Sequence, residues 1–320
     1  MKDTVSTMIK GMAMGTAEVI PGVSGGTIAF ITGIYEKLLN TIKAFGPGLI
    51  PIFKASGFKG VWSAIDGNFL VRLLGGMVLG VVFGVFAISY LLEKYPPAVW
   101  AFFFGLIIAS AIYIGRQITR WGGGEIALMI LGAVVAFGIT MIAPAKGSES
   151  LIFVFISGAI AISALILPGI SGSFILLIMG MYTYIISDTL KPALTTLAPD
   201  KLLIMVVFAL GCLTGLMTVS RLLSWTFKHY RNLTLAILTG FMIGSLNKIW
   251  PWRNAIEWLR DESGKIIMKE DGITKKKILI EENVFPANYT GGEDLLLAVI
   301  LLMIFGFLSV FLLERLGSKE

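Results

Sequence analysis

Two apolar stretches of this chain, 8–39 and 153–186, are long enough to cross a bilayer, and both are broken in the middle by nearly the same residues. The first break reads Pro21-Gly22-Val23-Ser24-Gly25-Gly26, the second Pro168-Gly169-Ile170-Ser171-Gly172-Ser173. Proline removes a helix donor and crowds the preceding turn, and glycine frees the backbone, so neither stretch can run as one regular helix. Backbone released from a helix cannot face lipid, where nothing hydrogen-bonds it. The breaks must lie inside protein or line a wet cavity. Each stretch therefore reads as a re-entrant hairpin of two half-helices.

Six further apolar runs have the length of a membrane helix, about 20 residues: Phe69–Leu92, Ala98–Ile118, Glu125–Ile142, Leu202–Phe227, Leu233–Ile249 and Leu295–Leu313. Only 14% of the residues are charged, against about a quarter in soluble domains. The chain reads as an all-α polytopic membrane protein. The single cysteine, Cys212, permits neither an intrachain disulfide nor a Cys-based metal cluster. The single histidine, His229, closes zinc chemistry and His-based nucleophile triads. No metal or cofactor is expected. Net charge +6 suits anionic headgroups or an anionic cargo, and no basic stripe interleaved with aromatics points to nucleic acid. The segment Met1–Lys10 is polar and Glu18 interrupts the apolar run after it, so no signal peptide is read there.

Charge placement orients these segments. If both hairpins return to their side of entry, one face collects Lys37, Lys43, Lys54, Lys59, Arg72, Arg116, Arg120, Lys228, Arg231, Arg315 and Lys319, while the opposite short loops hold only Lys94, Lys146, Lys191 and Lys201. The basic face is expected to be cytoplasmic, with both termini on it. The segment 250–292 falls on the other side. Its Asp271-Gly272 turn signal, flanked by Ile266-Ile267 and Ile278–Ile280, predicts a short β-hairpin. A solvated cap is the expected role of this segment.

The chain also repeats itself. A shift of 147 aligns Gly11 with Gly158, Pro21 with Pro168, Ser24 with Ser171, Gly33 with Gly180 and Tyr35 with Tyr182. A shift of 135 aligns Gly76 with Gly211, Gly80 with Gly215, Tyr95 with Tyr230 and Gly105 with Gly240, and a shift of 168 aligns Gly138 with Gly306. The expected architecture is two units, 1–146 and 147–320, each one hairpin plus three spans. An odd number of crossings makes the second unit upside down relative to the first. Inverted repeats with interrupted helices in matching places are the mark of alternating-access transporters, and the breaks point to the substrate site.

Half-helix N-termini attract anions through unpaired N–H groups. Ser24, Gly25, Gly26 and Thr27 in one break, and Ser171, Gly172 and Ser173 in the other, are the candidate anion-binding residues. Tight packing of small residues is the competing reading. Two charges inside apolar segments add to the set. Arg221, in Leu202–Phe227, offers a planar fork for phosphate, with snorkelling to the surface as its alternative. Glu18, whose counterpart at the shift of 147 is Leu165, reads as a proton carrier or a partner for a basic residue; a carboxylate exposed at a cytoplasmic vestibule is its alternative. No Walker sequence or metal-hydrolase cluster is present. Gly22-Val23-Ser24-Gly25-Gly26 has the form of a nucleophile elbow but lacks the preceding strand and a partner histidine. The chain is not expected to be an enzyme.

The run Glu18-Val19-Ile20-Pro21-Gly22-Val23-Ser24-Gly25-Gly26-Thr27, followed by Gly33-Ile34-Tyr35-Glu36, resembles the first signature of the bacterial undecaprenyl-phosphate translocases, or polyprenyl-phosphate transporters. Leu167-Pro168-Gly169-Ile170-Ser171-Gly172-Ser173-Phe174 resembles the second, and Ser220-Arg221-Leu222-Leu223 fits a later pattern. The resemblance implies a flippase in the bacterial plasma (inner) membrane. It would return undecaprenyl phosphate, the lipid carrier of cell-wall and surface-glycan synthesis, from the outer to the cytoplasmic leaflet. It implies that the seven break residues and Arg221 hold the phosphate, with Glu18 sensing or exchanging a proton. Membrane lipids and protons are the further expected partners, and the oligomeric state is left open. A transporter of a small soluble anion is the main alternative, and a lipid-phosphate phosphatase a third. Lipid cargo predicts a site open sideways to the bilayer; a soluble anion predicts one sealed from it.

Overall fold

The computed structural model describes residues 2–20, 22–145, 147–190, 198–258 and 278–317. Pro21, Lys146, Lys191 and Lys319, and in the long loop Ile266-Ile267, Asp271-Gly272 and the remainder of 259–277, lie outside the described residues. The first broken stretch folds as α1 (Lys2–Glu18), α2 (Gly25–Ile31) and α3 (Tyr35–Ala44). After α4 (Leu49–Ala64) come α5 (Gly67–Phe83), a π-helical turn (Gly84–Ile88) and α6 (Ser89–Lys94), then α7 (Pro96–Gly115) and α8 (Gly123–Met141). The second stretch gives α9 (Leu151–Ile166), α10 (Gly172–Ile178) and α11 (Tyr182–Ile185), continued by a π-helical turn over Ile186–Leu190. It is followed by α12 (Pro199–His229) and α13 (Arg231–Ser245). Strands β1 (Arg253–Trp258) and β2 (Ile278–Asn283) then pair antiparallel before α14 (Leu296–Gly317).

Five described helical runs are long and apolar enough to cross a membrane: Gly67–Lys94 through α5 and α6, then α7, α8, α12 and Leu296–Glu314 of α14. The chain is a mostly helical, multi-pass membrane protein. These five match expected spans to within a few residues. The sixth expected run, Leu233–Ile249, is not one regular helix. Helix α13 has 15 residues, from just before the run to Ser245, about 22 Å at 1.5 Å per residue, and turns complete the run. Ser245 turns its hydroxyl back on the Met242 carbonyl, and the backbone reaches Ile249 in three-residue turns. Averaging apolar character over the run hid the polar Ser245, Asn247 and Lys248 at its end. The β pair also qualifies the all-α expectation: β2 begins at the expected Ile278, whereas β1 lies earlier than the expected Ile266-Ile267.

Neither broken stretch is a simple pair of half-helices. Each contains a second break, at Gly33 (φ +73°) and Gly180 (φ +68°). There the short helix ends in a Schellman turn: Gly33 and Ile34 donate to Phe30 and Ala29, as Gly180 and Met181 donate to Leu177 and Leu176. Past the second of these turns the chain bends by 113°. The helix begun at each motif is only seven residues long, so it stays inside the protein.

Four helix pairs dominate the packing: α1 with α5, α9 with α12, α7 with α14, and α8 with α13. Glycines make these crossings close. Gly76 and Gly80 of α5 lie on the Met8 and Met12 carbonyls, and Gly211 and Gly215 of α12 on those of Phe155 and Ala159. Gly105 and Gly306 press reciprocally on Met303 and Phe102. A side chain at any of these positions would overlap a carbonyl oxygen, which is how small residues serve membrane interfaces. Gly138, aligned with Gly306 in sequence, faces open space. We expect Gly105→Ala and Gly306→Ala each to lower the melting temperature of the purified protein by several degrees. Gly75→Ala and Gly138→Ala, where the new methyl meets nothing, should hold or raise it, since alanine is favoured in a helix by about 0.5–1 kcal/mol. Equal losses in all four would contradict this packing.

Candidate functional site

The two motif breaks meet and hydrogen-bond to each other. Ser24 has the extended backbone of an N-cap, and its Oγ accepts from Gly26 N at 3.1 Å. The same hydroxyl donates to the Leu165 carbonyl in the last turn of α9 at 2.9 Å. Thr27 Oγ1 accepts from Gly169 N at 3.2 Å, and Tyr35 OH donates to the Ile166 carbonyl at 3.2 Å. Ser24, Thr27 and Tyr35 are buried. A side chain at Gly26 would overlap the Ile166 carbonyl, so glycine there lets α2 lie against the end of α9.

Glu18 ends α1 and reaches across the break, where its Oε1 accepts from Gly25 N at 2.6 Å. The first amides of α2 are thus held by a carboxylate and a hydroxyl of the chain itself, the charge sign that a helix N-terminus favours. The second motif is not capped this way. Ser171 precedes α10 but makes no capping bond to it; its Oγ lies 2.9 Å from that of Ser173. The structure therefore brings Ser24 and Gly26 onto the end of α9 and Thr27 onto Gly169 just past it, with Glu18 on Gly25; Ser171 stands before α10, and Gly172 and Ser173 begin it. Arg221 lies apart from them. It is exposed, and its Nη2 donates to the Phe45 carbonyl just past α3 at 3.1 Å.

Closer to the crossing are charges that the sequence reading did not single out. The stem of Lys248 packs on Gly22, with Cγ 3.3 Å from where a Cβ would stand, and its Nζ lies 4.7 Å over the Phe174 ring of α10. Arg253, in β1, donates from Nη1 to Glu281 Oε2 at 2.7 Å and to the Lys248 carbonyl at 3.0 Å, and lies 4.2 Å over Trp100. Burial pulls the Arg253 guanidinium below its ordinary value, and the Glu281 and Tyr289 charges push it back. A signal for Lys248 was present: it is a charge inside a run read as a span. Arg253 and Glu281 fell in a segment read as a solvated cap, and nothing local marks them as buried.

A family model described as undecaprenyl phosphate translocase-like matches residues 14–267, which include both breaks, Arg221 and Lys248. The chain belongs to that family. A polyprenyl-phosphate transporter of Vibrio cholerae serotype O1 is 42% identical over 318 residues, 98% of this chain and 97% of its own. One from Staphylococcus aureus is 32% identical over 265 residues, 78% of this chain and 88% of its own. No solved structure matches the chain.

For this member of the translocase-like family the crossing bonds predict a stability signature. Thr27→Val keeps the shape but leaves the buried Gly169 amide without its acceptor. The expected loss is about 1–3 kcal/mol, read as a lower melting temperature. Thr218→Val, on an exposed face where the hydroxyl only bonds back to Thr214, should change it little. Equal effects would show that the crossing bond contributes nothing particular.

Proposed function

We propose that this chain carries a polyprenyl phosphate across the membrane, returning undecaprenyl phosphate from the outer to the cytoplasmic leaflet. The names of the two relatives support the cargo class. The observation that carries the lipid reading is a groove of about 890 Å³ bordered by α1, α5–α6, α7 and α14. Its wall is largely apolar, and of the three hydroxyl side chains that line it, Thr16, Tyr95 and Ser309, those of Thr16 and Ser309 are turned to backbone carbonyls. Phe83, Phe305 and Leu312 line it while half or more exposed, so it opens sideways rather than to a sealed chamber. Its inner wall includes Ala17 and Ile28, which flank Glu18 and Thr27. An isoprenoid tail in this groove would leave its phosphate beside the first motif.

Two inverted units, 1–146 and 147–320, supply the alternating motion in this reading. The pairings support it: exchanging the halves carries α1–α5 onto α9–α12 and α7–α14 onto α13–α8. So do matched backbones, at Gly22 and Gly169 (φ +91° and +86°) and at Tyr95 and Tyr230 (φ −135° and −138°). The bonds from Ser24, Thr27 and Tyr35 would then hold the units closed and break as access alternates. Phosphate would compete with the Glu18 carboxylate for the α2 amides, assisted by Ser171, Gly172, Ser173 and, on the cytoplasmic side, Arg221. Protonation of Glu18 would release Gly25 N. Inward movement of a dianion against an inside-negative potential costs about 2.3 kcal/mol per charge per 100 mV, and a co-transported proton offsets part of it.

Reconstitution with labelled lipid tests this. Wild-type protein should move polyprenyl phosphate between leaflets without releasing inorganic phosphate. Ser171→Ala and Arg221→Ala should each slow translocation by about tenfold, the equivalent of about 1.4 kcal/mol. Glu18→Gln should flatten its dependence on pH. Unchanged rates in both Ser171→Ala and Arg221→Ala would sink the site assignment; phosphate release would move the protein to the phosphatase class. Uptake of a soluble organic anion in place of lipid would favour the soluble-anion alternative.

A further inference from the structure

We propose that Lys248 is a capture site for a phosphate monoester dianion, placed where both broken segments touch it. Its lipid source rests on the transport reading above; its charge chemistry stands on the following geometry.

Among the described residues, Glu281 is the one carboxylate within ion-pair reach of Lys248 or Arg253, and both cations address the same oxygen, Oε2. Arg253 takes the short bond at 2.7 Å, leaving Lys248 at 3.9 Å. The Arg253 Nε is also buried with no hydrogen-bond partner. Two largely enclosed cations thus share one counter-charge, and desolvated charge without compensation is costly. Lys248 carries the spare charge. Its side chain is 23% exposed against 7% for Arg253, so an incoming anion reaches Lys248 first.

Position gives this charge its use. The Lys248 stem lies on Gly22 in the first break, and its ammonium lies over Phe174 of α10, next to Ser173. A dianion bound there supplies more charge than Glu281 and can draw Lys248 away from it, disturbing both broken segments at once. Arg253 acts as a positioning residue, since it holds Glu281 and the Lys248 carbonyl together while packed on Trp100. In the proposed topology this cluster lies on the extracytoplasmic side, where the recycled lipid begins.

The test is equilibrium binding to the purified full-length protein in detergent, with labelled inorganic phosphate in one arm and a labelled short-chain polyprenyl phosphate in the other. Lys248→Met should weaken whichever probe the wild type binds by about tenfold or more, the loss of one charge-assisted contact. Lys248→Arg should restore most of that affinity. Glu281→Gln should tighten binding, a direction that misfolding does not produce. Loss of inorganic phosphate with Lys248→Met assigns the site to the phosphate group itself; loss confined to the lipid probe assigns it to the tethered headgroup. Equal affinity in wild type and Lys248→Met, or a wild type that binds neither probe, overturns the proposal. Translocation on the same preparations keeps the two readings apart. Binding through Lys248 without lipid movement would remove the transport reading and leave the site.

Discussion

At the crossing of the broken segments, Gly169 gives its amide to Thr27, while the Leu165 and Ile166 carbonyls receive the hydroxyls of Ser24 and Tyr35. Every helix end leaves such groups unpaired, and within the hydrocarbon depth no water satisfies them. A chain that breaks two helices inside a membrane has to complete them from within. Here the first segment does so for both: its side chains serve the backbone of the second, and its own Glu18 and Ser24 hold the amides at its break. Neither segment can therefore be placed without its counterpart, and the helices around them are arranged to hold the pair.

Glycine does much of that holding, in two different ways. At Gly33 and Gly180 it takes a left-handed backbone that ends a helix, and at Gly22 and Gly169 a positive φ turns the chain between helices. At Gly105, Gly211, Gly215 and Gly306 it is ordinary helix, and its value is the missing side chain, which lets a neighbouring carbonyl approach. Where hydrophobic attraction between helices is weak, such close approach is the main source of association. It draws α13 against α8 and α7, so that the helix and the turns after it run over both breaks. Met242 lies at Gly169, and Ile249 at Gly22.

The legible part of this architecture was the part written in residue type. Repeated Pro, Gly and Ser located both breaks, and long apolar runs located five spans, because each is a local property of the chain. The second breaks at Gly33 and Gly180 were aligned as a pair, yet a single glycine in an apolar run does not declare a turn. The bonds across the crossing join residues more than 130 positions apart, so no window on the sequence contains them. Lys248 was hidden by averaging, since one ammonium in a long apolar run leaves it apolar. Arg221 shows the opposite case. A charge inside a span stands out in the sequence, and this one lies in the last third of a helix 31 residues long, exposed and bonded to the Phe45 carbonyl rather than to either break.

The divergences between the halves carry as much information as their likeness. At the shift that superposes the motifs, Glu18 corresponds to Leu165. One contributes a carboxylate to the amides of α2, whereas the other contributes only its backbone carbonyl to Ser24. The short helix of the second half lacks that internal anion and has instead a lysine ammonium over its Phe174. One break is therefore met by negative charge and the other by positive charge. Two like units related by inversion would present the same charge at both breaks. Opposite charges at the two breaks remove that equivalence. In the proposed transport cycle an anion is drawn first toward the lysine side, and it can take the amides of the first motif only when the carboxylate there gives way.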